Sequence, residues 1–349
     1  MQLMDRDAHA AELPLRVAVI GCGVMAREHV KAALQRPGRV TVVAVCDPSP
    51  QAYATMAALF EEVGQPAPPN VPDLDFLLAR YHDQLDLVLI ATPHAVHFAQ
   101  ASAVLAAGLP VILEKPMVTT VEEARALVAA QHRAGRELIV AFNGSLSPRI
   151  REAARLLQQG ELGDILLIAG TIWEGWRTAY RGHWKQDPAV SGGGFFFDTG
   201  AHLLNTVADL AGQPIIEVAA WLDERGGPPG LEILGTVMAR LQRGGLVSLA
   251  ACGDTIRVCA SEITVFCTQG IVRTDAWGRS LAVQRNGEET AHDITQDEPH
   301  DVWDVAQAVL RHGQPNPCPP EAGLRMALFW EAIQRSAKQG GQPVVIQPD

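Results

Sequence analysis

The run Leu15-Arg16-Val17-Ala18-Val19-Ile20-Gly21-Cys22-Gly23-Val24-Met25-Ala26 decides the fold. Its first six residues are nearly all apolar, as a strand covered on both faces must be. The glycine pattern GxGxxA follows at once, and an Ala-rich amphipathic stretch, Met25–Gln35, follows that. In this strand–turn–helix setting the glycines allow a tight turn and the close approach of a pyrophosphate. The helix start offers amide donors and positive dipole, and the small Ala26 lets helix and strand pack closely. Asp47 ends the next apolar run, where a carboxylate can accept from both ribose hydroxyls. Gly21, Gly23, Val24, Met25, Ala26 and Asp47 are therefore candidate cofactor residues. Pro48-Ser49-Pro50 comes next, with no Arg or Lys before Arg80. A 2′-phosphate would meet a carboxylate and no nearby cation, so NAD is expected and NADP disfavoured.

Working outward, apolar runs at Leu15–Ile20, Val40–Cys46, Leu85–Ala91, Pro110–Leu113 and Leu138–Phe142 alternate with helical patterns at Met25–Gln35, Gln51–Val63, Val96–Ala107 and Val121–Ala134. This alternation predicts a doubly wound parallel sheet over residues 15–145. Beyond residue 146 a helix, Pro148–Gln159, precedes a strand, Ile165–Trp173, and a helix follows near Phe197–Leu210. Strand-like runs then succeed one another across short turns: Ile215–Leu222, Leu231–Leu241, Leu246–Cys252, Glu262–Thr268, Gly270–Thr274 and Leu281–Arg285. Short turns between strands imply a mostly antiparallel sheet, closed by helices at Asp301–Arg311 and Glu321–Lys338. The expectation is an α/β protein of two domains, 15–145 and 146–349.

The 349 residues suit two domains at roughly 150 each. Lys and Arg number 28 against 39 Asp and Glu, a net charge of −11 without a basic block, which argues against nucleic acid and anionic membranes as partners. No apolar run approaches the roughly 20 residues that span a bilayer. The first fourteen residues carry Asp5, Asp7 and Glu12 and no apolar core, so they read as a frayed extension and not as a secretory signal. Six scattered cysteines without a CxxC pair read as reduced buried thiols, which points to the cytoplasm. No metal is expected, since HExxH and clustered His and Cys are missing.

Four further segments are specific in combination: Ala91-Thr92-Pro93-His94-Ala95-Val96-His97, Glu114-Lys115-Pro116, Gly160-Glu161-Leu162-Gly163, and Gly192-Gly193-Gly194-Phe195-Phe196-Phe197-Asp198-Thr199-Gly200-Ala201-His202. In this order the chain closely resembles the Gfo/Idh/MocA oxidoreductases from about residue 15 to 335. The resemblance implies an N-terminal Rossmann domain, a C-terminal α/β domain with a large open sheet, and oxidation or reduction of sugars and cyclitols. It also implies homodimers or homotetramers formed through that sheet. By the same resemblance Thr92, Pro93, His94, His97 and Glu114 lie beside the cofactor, although helix-start histidines are also common as caps or packing. Asn143 matches a position facing substrate; its continuation Gly144-Ser145-Leu146 departs from the basic and aromatic residues usual there. Lys185 stands where many members carry Arg, and Asn205 where a second acid often follows.

Lys115 follows a parallel strand, in the crevice where such sheets hold ligands, and can exchange the proton of a reacting hydroxyl. It is a catalytic candidate that also touches cofactor and substrate, and the Lys115–Pro116 bond is a candidate cis peptide. Asp198 and His202, four apart at a predicted helix start, share a face there, so the carboxylate would orient the imidazole. Both are candidates for catalysis and substrate binding; whether Lys115 or His202 is the principal base stays open. Trp173, Trp176, Tyr180 and Trp184 fall within twelve residues, beside Arg177, Arg181 and Lys185. Aromatic faces pack on sugar rings while cations hold hydroxyls, so this segment, with Lys185, is expected to line the substrate mouth. The leading reading is an NAD-dependent dehydrogenase acting on a secondary alcohol of a sugar, sugar acid or cyclitol. A glycosidase using transient oxidation of a ring hydroxyl and a non-catalytic dinucleotide-binding regulator are the alternatives.

Overall fold

The computed structural model describes residues 13–294 and 300–347. The expected frayed extension lies, up to residue 12, outside the described residues.

In the first half, β1 (Leu15–Ile20), β2 (Val40–Cys46), β3 (Leu87–Ile90), β4 (Val111–Leu113) and β5 (Leu138–Val140) pair in parallel in the order β2-β1-β3-β4-β5. Every residue of β3, β4 and β5 is buried, which is why these strands read as unbroken apolar runs. Helices α1 (Val24–Gln35), α2 (Pro50–Glu62), α3 (Leu74–Tyr81), α4 (His97–Ala106) and α5 (Val121–Ala134) connect them. Helix α3 and a one-residue parallel pairing of Asn70 with Val45, outside β2, lie beyond the elements expected from the sequence. Pro66, Pro68 and Pro69 lack the N–H groups a longer strand would need there. The chain leaves β1 toward β2 on one side while β3 lies on the other, so the carboxyl ends of β1 and β3 bound a crevice.

The second sheet is formed by β6 (Ile165–Glu174), β7 (Ile215–Asp223), β8 (Leu234–Leu241), β9 (Leu246–Cys252), β10 (Cys259–Cys267), β11 (Gly270–Thr274), β12 (Leu281–Arg285), β13 (His292–Asp293) and β14 (Val344–Val345). Its order is β13-β12-β11-β10-β6-β9-β8-β7-β14, antiparallel except where β6 meets β9. Helices α6 (Asn143–Leu146), α7 (Pro148–Gln158), α8 (Trp176–Ala179), α9 (Pro188–Ser191), α10 (Phe195–Asp198), α11 (Ala201–Ala211), α12 (Val302–Leu310) and α13 (Pro320–Lys338) complete the chain.

Helix α11 covers one face of this sheet. Ile168 and Ile172 of β6 are buried beneath it, and Gly170 leaves room for Leu203, whose Cδ1 would lie 2.8 Å from any Cβ added there. The opposite face is open and carries exposed Trp221, Met238, Leu246 and Phe266. Two expectations shift. The run Leu231–Leu241 enters the sheet only at Leu234, because Glu232 turns inward. The helix near Phe197–Leu210 is two helices: the Phe195 carbonyl accepts from both Thr199 N–H and Gly200 N–H, and the second bond is five residues long and widens the turn.

The last two helices reach back to the first sheet. α13 packs against α5, and the Val140 N–H donates to the Cys318 carbonyl at 2.9 Å, which covers the outer edge of β5. Trp303 of α12 donates its indole N–H to the His29 carbonyl at 2.8 Å. The walls of the cleft between the sheets are thus tied by more than one chain crossing.

Candidate active site

The first wall is built from strand ends. Gly21 has φ +92°, and a Cβ there would lie 2.5 Å from the Ala91 carbonyl oxygen, so only glycine can occupy the turn from β1 into α1, against the end of β3. Gly23 begins α1 without any side-chain cap, and Val24 and Met25 are exposed while Ala26 is buried against the sheet. The first amides of the helix therefore remain available to a diphosphate. Asp47 leans over this turn, its Oδ2 accepting from Cys22 N–H at 2.7 Å and its Oδ1 from Ser49 N–H at 2.8 Å. Asn70, absent from the sequence reading, brackets the Asp47 backbone from outside: its Oδ1 accepts from Asp47 N–H at 3.1 Å, and its Nδ2 donates to the Asp47 carbonyl at 2.9 Å. A turn closed to any Cβ at Gly21, free helix amides and a fixed carboxylate fit a dinucleotide with an unphosphorylated ribose.

Glu114 directly follows β4 and is buried. His29 of α1 donates to its Oε1 at 2.6 Å, and the Lys115 N–H to its Oε2 at 3.1 Å. Burial works to raise this carboxyl, but His29 and Lys115 outweigh it and bring it down to about 2. Thr92 donates its hydroxyl to Gln100 at 2.6 Å and leads through Pro93 to the histidines. The structure corrects the expectation for His97, which is wholly buried with its ring nitrogens 3.0 and 2.9 Å from the carbonyl oxygens of Pro116 and Thr92. It braces these two loops and has no nitrogen left for a ligand. His94 is also buried. Its Nδ1 donates to the Ser191 carbonyl at 2.7 Å, its Nε2 stands 4.0 Å from Asp198, and burial brings its pKa down to about 3. It lies behind the site and not in it.

Asp198 is the hub of the second wall. The side chain is fully buried, and its Oδ2 accepts from Lys185 Nζ at 2.8 Å and from the Trp176 indole N–H at 2.8 Å. Lys115, across the cleft at the cis Lys115–Pro116 peptide, donates Nζ to the Asp198 carbonyl at 3.1 Å and to Oδ1 at 3.3 Å. Burial alone would raise the Asp198 carboxyl; the Lys115 and Lys185 ammonium groups hold it well below the usual carboxylate range. The carboxylate therefore orients two lysines. No hydrogen bond joins it to His202, because the widened turn between α10 and α11 breaks the expected shared face.

Glu232 braces α10 from behind, its Oε1 accepting from Gly194 N–H at 2.8 Å and from Phe197 N–H at 3.0 Å. Burial pushes this carboxyl up to about 7.

His202 packs between Phe142 and Trp277, with ring centroids 6.2 and 5.7 Å away. Its Nδ1 is buried and has no partner, and burial, with Lys115 near, brings its pKa down to about 3. It is a neutral imidazole at the cleft surface.

The cleft between the walls has a volume of about 940 Å³. Met25, His29, Glu114 and Lys115 line it from the first wall; Glu174, Tyr180, Lys185, Thr199 and His202 line it from the second. Asn143, Arg149, Cys259, Trp277 and Arg279 line it as well.

The aromatic segment divides. Tyr180 lines the cleft with Lys185 Nζ 4.5 Å above its ring, and burial pushes its phenol up to about 12. Trp176 instead lies fully buried, as the partner of Asp198. Trp184 packs its ring 4.9 Å from that of His94 and does not reach the cleft. Trp173 alternates with Ile172 and Glu174 along β6 and so projects to the open face of the sheet. It is Glu174, one residue on, that enters the cleft, held by the Thr199 hydroxyl at 2.8 Å, with its pKa raised by burial. Pattern reading could have found Glu174 from the strand period alone. Arg149, Trp277 and Arg279 carried no local signal.

The six cysteines are free; Cys22, Cys46, Cys267 and Cys318 are buried as expected, whereas Cys252 is half-buried and Cys259 exposed. Among the described residues, no group of three His, Cys, Asp or Glu side chains is placed to hold a metal ion, and no helix is long and apolar enough to cross a membrane.

Residues 15–142 match the model of an oxidoreductase family with an NAD-binding Rossmann fold, and residues 150–273 match the GFO/IDH/MocA C-terminal domain. A curated relative, inositol 2-dehydrogenase 2 of Saccharopolyspora erythraea, is 28% identical over 62% of this chain; the match spans 59% of that relative's length. Among solved structures, GenD2 from gentamicin A biosynthesis, in complex with NAD, is 25% identical, with a TM-score of 0.80 over 99% of this chain and 100% of that one. An inositol dehydrogenase homologue from Azotobacter vinelandii, complexed with NAD+, shares the fold at 22% identity, with a TM-score of 0.81 over 95% and 97% of the two chains.

Proposed function

The chain belongs to the Gfo/Idh/MocA family of NAD-binding oxidoreductases, and on that premise we propose that it is an NAD-dependent dehydrogenase acting on a secondary alcohol of a sugar or cyclitol, or on the matching ketone. The observation that carries this reading is Lys115 Nζ, fixed by two bonds to Asp198 at the surface of a cleft that also exposes His202. Gly21, Gly23, the start of α1 and Asp47 would hold the dinucleotide, and Asp47 disfavours a 2′-phosphate. Bound NAD supplies a hydride acceptor.

Everything else in the step falls to side chains. As the neutral amine, Lys115 keeps its two N–H bonds on Asp198 and turns its lone pair to the cleft, where it takes the hydroxyl proton in oxidation; the ammonium so formed returns that proton in reduction. His202, neutral near pH 7, directs that hydroxyl by a hydrogen bond and carries no charge of its own. These surroundings support Lys115 as the principal base. Tyr180 and Lys185 form a surface for a sugar ring and its hydroxyls. Exposed Trp221, Met238, Leu246 and Phe266 on the open sheet face support a homodimer or homotetramer formed there. Six free thiols support a reducing, cytoplasmic setting.

The test is a panel of monosaccharides, sugar acids and inositols offered with NAD and with NADP. Stoichiometric NADH formation with at least one secondary alcohol is expected. Turnover of a glycoside without net NADH, or NAD binding without turnover of any substrate in either direction, would overturn the reading.

A further inference from the structure

We infer that the substrate of this cleft carries an anionic substituent and that Arg149, seconded by Arg279, recognises it. This rests on the dehydrogenase reading and narrows its substrate class.

The residues between Asn143 and Arg149 leave little room for any other polar contact on that side. A Cβ at Gly144 would lie 2.0 Å from the Thr206 hydroxyl and 2.8 Å from the Ala276 carbonyl oxygen, and those two atoms are themselves hydrogen-bonded at 2.8 Å. Ser145 is buried and turned away, bonded to Asp209 and Asn205. The long polar side chain that reaches the cleft from here is Arg149, in the first turn of α7. A cation at that end of a helix is opposed by the macrodipole, so helix preference does not account for it.

Tertiary bonds hold Arg149 in place. Its Nε donates to the Ile294 carbonyl at 3.2 Å and its Nη1 to the Arg279 carbonyl at 2.8 Å. These acceptors are neutral, and no carboxylate among the described residues pairs with the guanidinium. The carboxylates that line the cleft are taken elsewhere: Glu28 by Lys31, Glu114 by His29, Glu174 by Thr199 and Asp301 by Arg36. A half-buried, immobilised guanidinium with its Nη2 edge unused is built to receive an oxyanion.

Arg279 adds a second cation. Its guanidinium lies 4.4 Å over the Trp277 ring, and that ring is 5.7 Å from the His202 ring. Asp275 offsets Arg279 only weakly, at 3.4 Å, because its oxygens also serve the backbone N–H groups of Trp277, Arg279 and Ser280. Trp277 thus links Arg279 to His202, and Arg149, bonded to the Arg279 carbonyl, lines the same cleft as the proton-handling groups. A carboxylate or a phosphate ester satisfies the same chemistry.

The experiment compares matched substrates: a neutral sugar or cyclitol, its carboxylic acid and its phosphate ester. Each is offered to wild type, Arg149→Met and Arg149→Lys. The readouts are NADH formation and calorimetric binding to the NAD-loaded protein. Wild type is expected to prefer one of the two anions at least about tenfold in kcat/KM, and which one identifies the group. Arg149→Met should collapse that preference by about 10- to 100-fold, mainly through KM, as expected for a lost charged hydrogen bond. Arg149→Lys should restore part of it, and the Kd for NAD should not move.

Equal handling of neutral and anionic substrates by wild type, or an unchanged preference in Arg149→Met, overturns the inference. So does a weakened NAD Kd, which would assign the arginine to the cofactor's own phosphates. If no compound yields NADH, the dehydrogenase reading fails, and calorimetry still decides this one. Anion binding that Arg149→Met abolishes upholds it; no anion binding overturns it.

Discussion

The two walls of the cleft are built on different principles, and Asp47 and Asp198 show the contrast. Asp47 sits at the end of a parallel strand, half-exposed, fastened by local amides and by Asn70. Asp198 is fully buried on a four-residue helix and is held by groups from three other parts of the chain, Lys115, Trp176 and Lys185. In a parallel sheet, position along the chain fixes position in the crevice, so its ligand-facing residues come at strand ends. On an antiparallel sheet the facing groups are gathered from distant turns, and neighbours such as Trp173 and Glu174 point to opposite sides.

The largest expected effect comes from breaking the second wall at its hub. Asp198→Ala leaves two lysines without their shared carboxylate and should cut kcat by about 10²- to 10⁴-fold. It should also destabilise the fold by about 3–5 kcal/mol, the cost of orphaning a buried charge. Steady-state kinetics and denaturant melts check both; a variant with normal kcat would reduce Asp198 to packing. Trp176→Ala should follow the same pattern more mildly, lowering kcat and not raising KM.

Breaking the first wall should act on cofactor choice. Wild type should prefer NAD to NADP in kcat/KM, and Asp47→Ala should weaken NAD by roughly tenfold or more, for the loss of one to two charge-assisted hydrogen bonds, while gaining on NADP. Equal efficiency with both dinucleotides in wild type would refute the role given to Asp47.

A smaller effect separates the aromatic residues. Tyr180→Ala should raise sugar KM several-fold and leave NAD affinity alone. Trp173→Ala, on the open sheet face, should leave KM unchanged and show itself, if anywhere, in subunit association measured by sedimentation. The reverse outcome would return Trp173 to the cleft.

The first wall was largely legible in the sequence. Gly21, Gly23 and Asp47 stand where an apolar run ends, and the structure has those runs as β1 and β2. Its gaps were Asn70, hidden among prolines, and the buried His29–Glu114 bond, which joins residues far apart in the chain. The second wall was legible only in part. The motif around Asp198 and His202 was visible, but their relation was not, because a single five-residue backbone bond turns α10 away from α11. Glu232 looked like strand because its neighbours Leu231 and Ile233 are apolar, whereas its carboxylate is needed at the head of α10. Arg149, Trp277 and Arg279 meet only through tertiary packing.

Stability against pH gives a separate test of how the site histidines are buried. His202 belongs to the second wall, His94 packs behind it from the loop after β3, and burial brings both folded pKa values to about 3, below the ordinary 6.5. The unfolded chain therefore binds protons between about 6.5 and 3 that the fold refuses. Stability is full above pH 6.5 and falls as pH drops through that window, by about 1.4 kcal/mol per pH unit for each proton. Melting at pH 7 and pH 5 in wild type and His202→Phe should show a shallower decline in the variant. An equal decline would deny His202 its neutral burial.

The central claim is that Lys115, positioned by Asp198, is the group that exchanges the substrate proton. The most direct measurement is single-turnover NADH formation by wild type and Lys115→Ala with the best substrate of the panel, alongside NAD binding followed by fluorescence quenching. The account predicts an unchanged dinucleotide Kd and a rate at least about 10²-fold slower in the variant. A folded Lys115→Ala protein that binds NAD and forms NADH at close to the wild-type rate would contradict it.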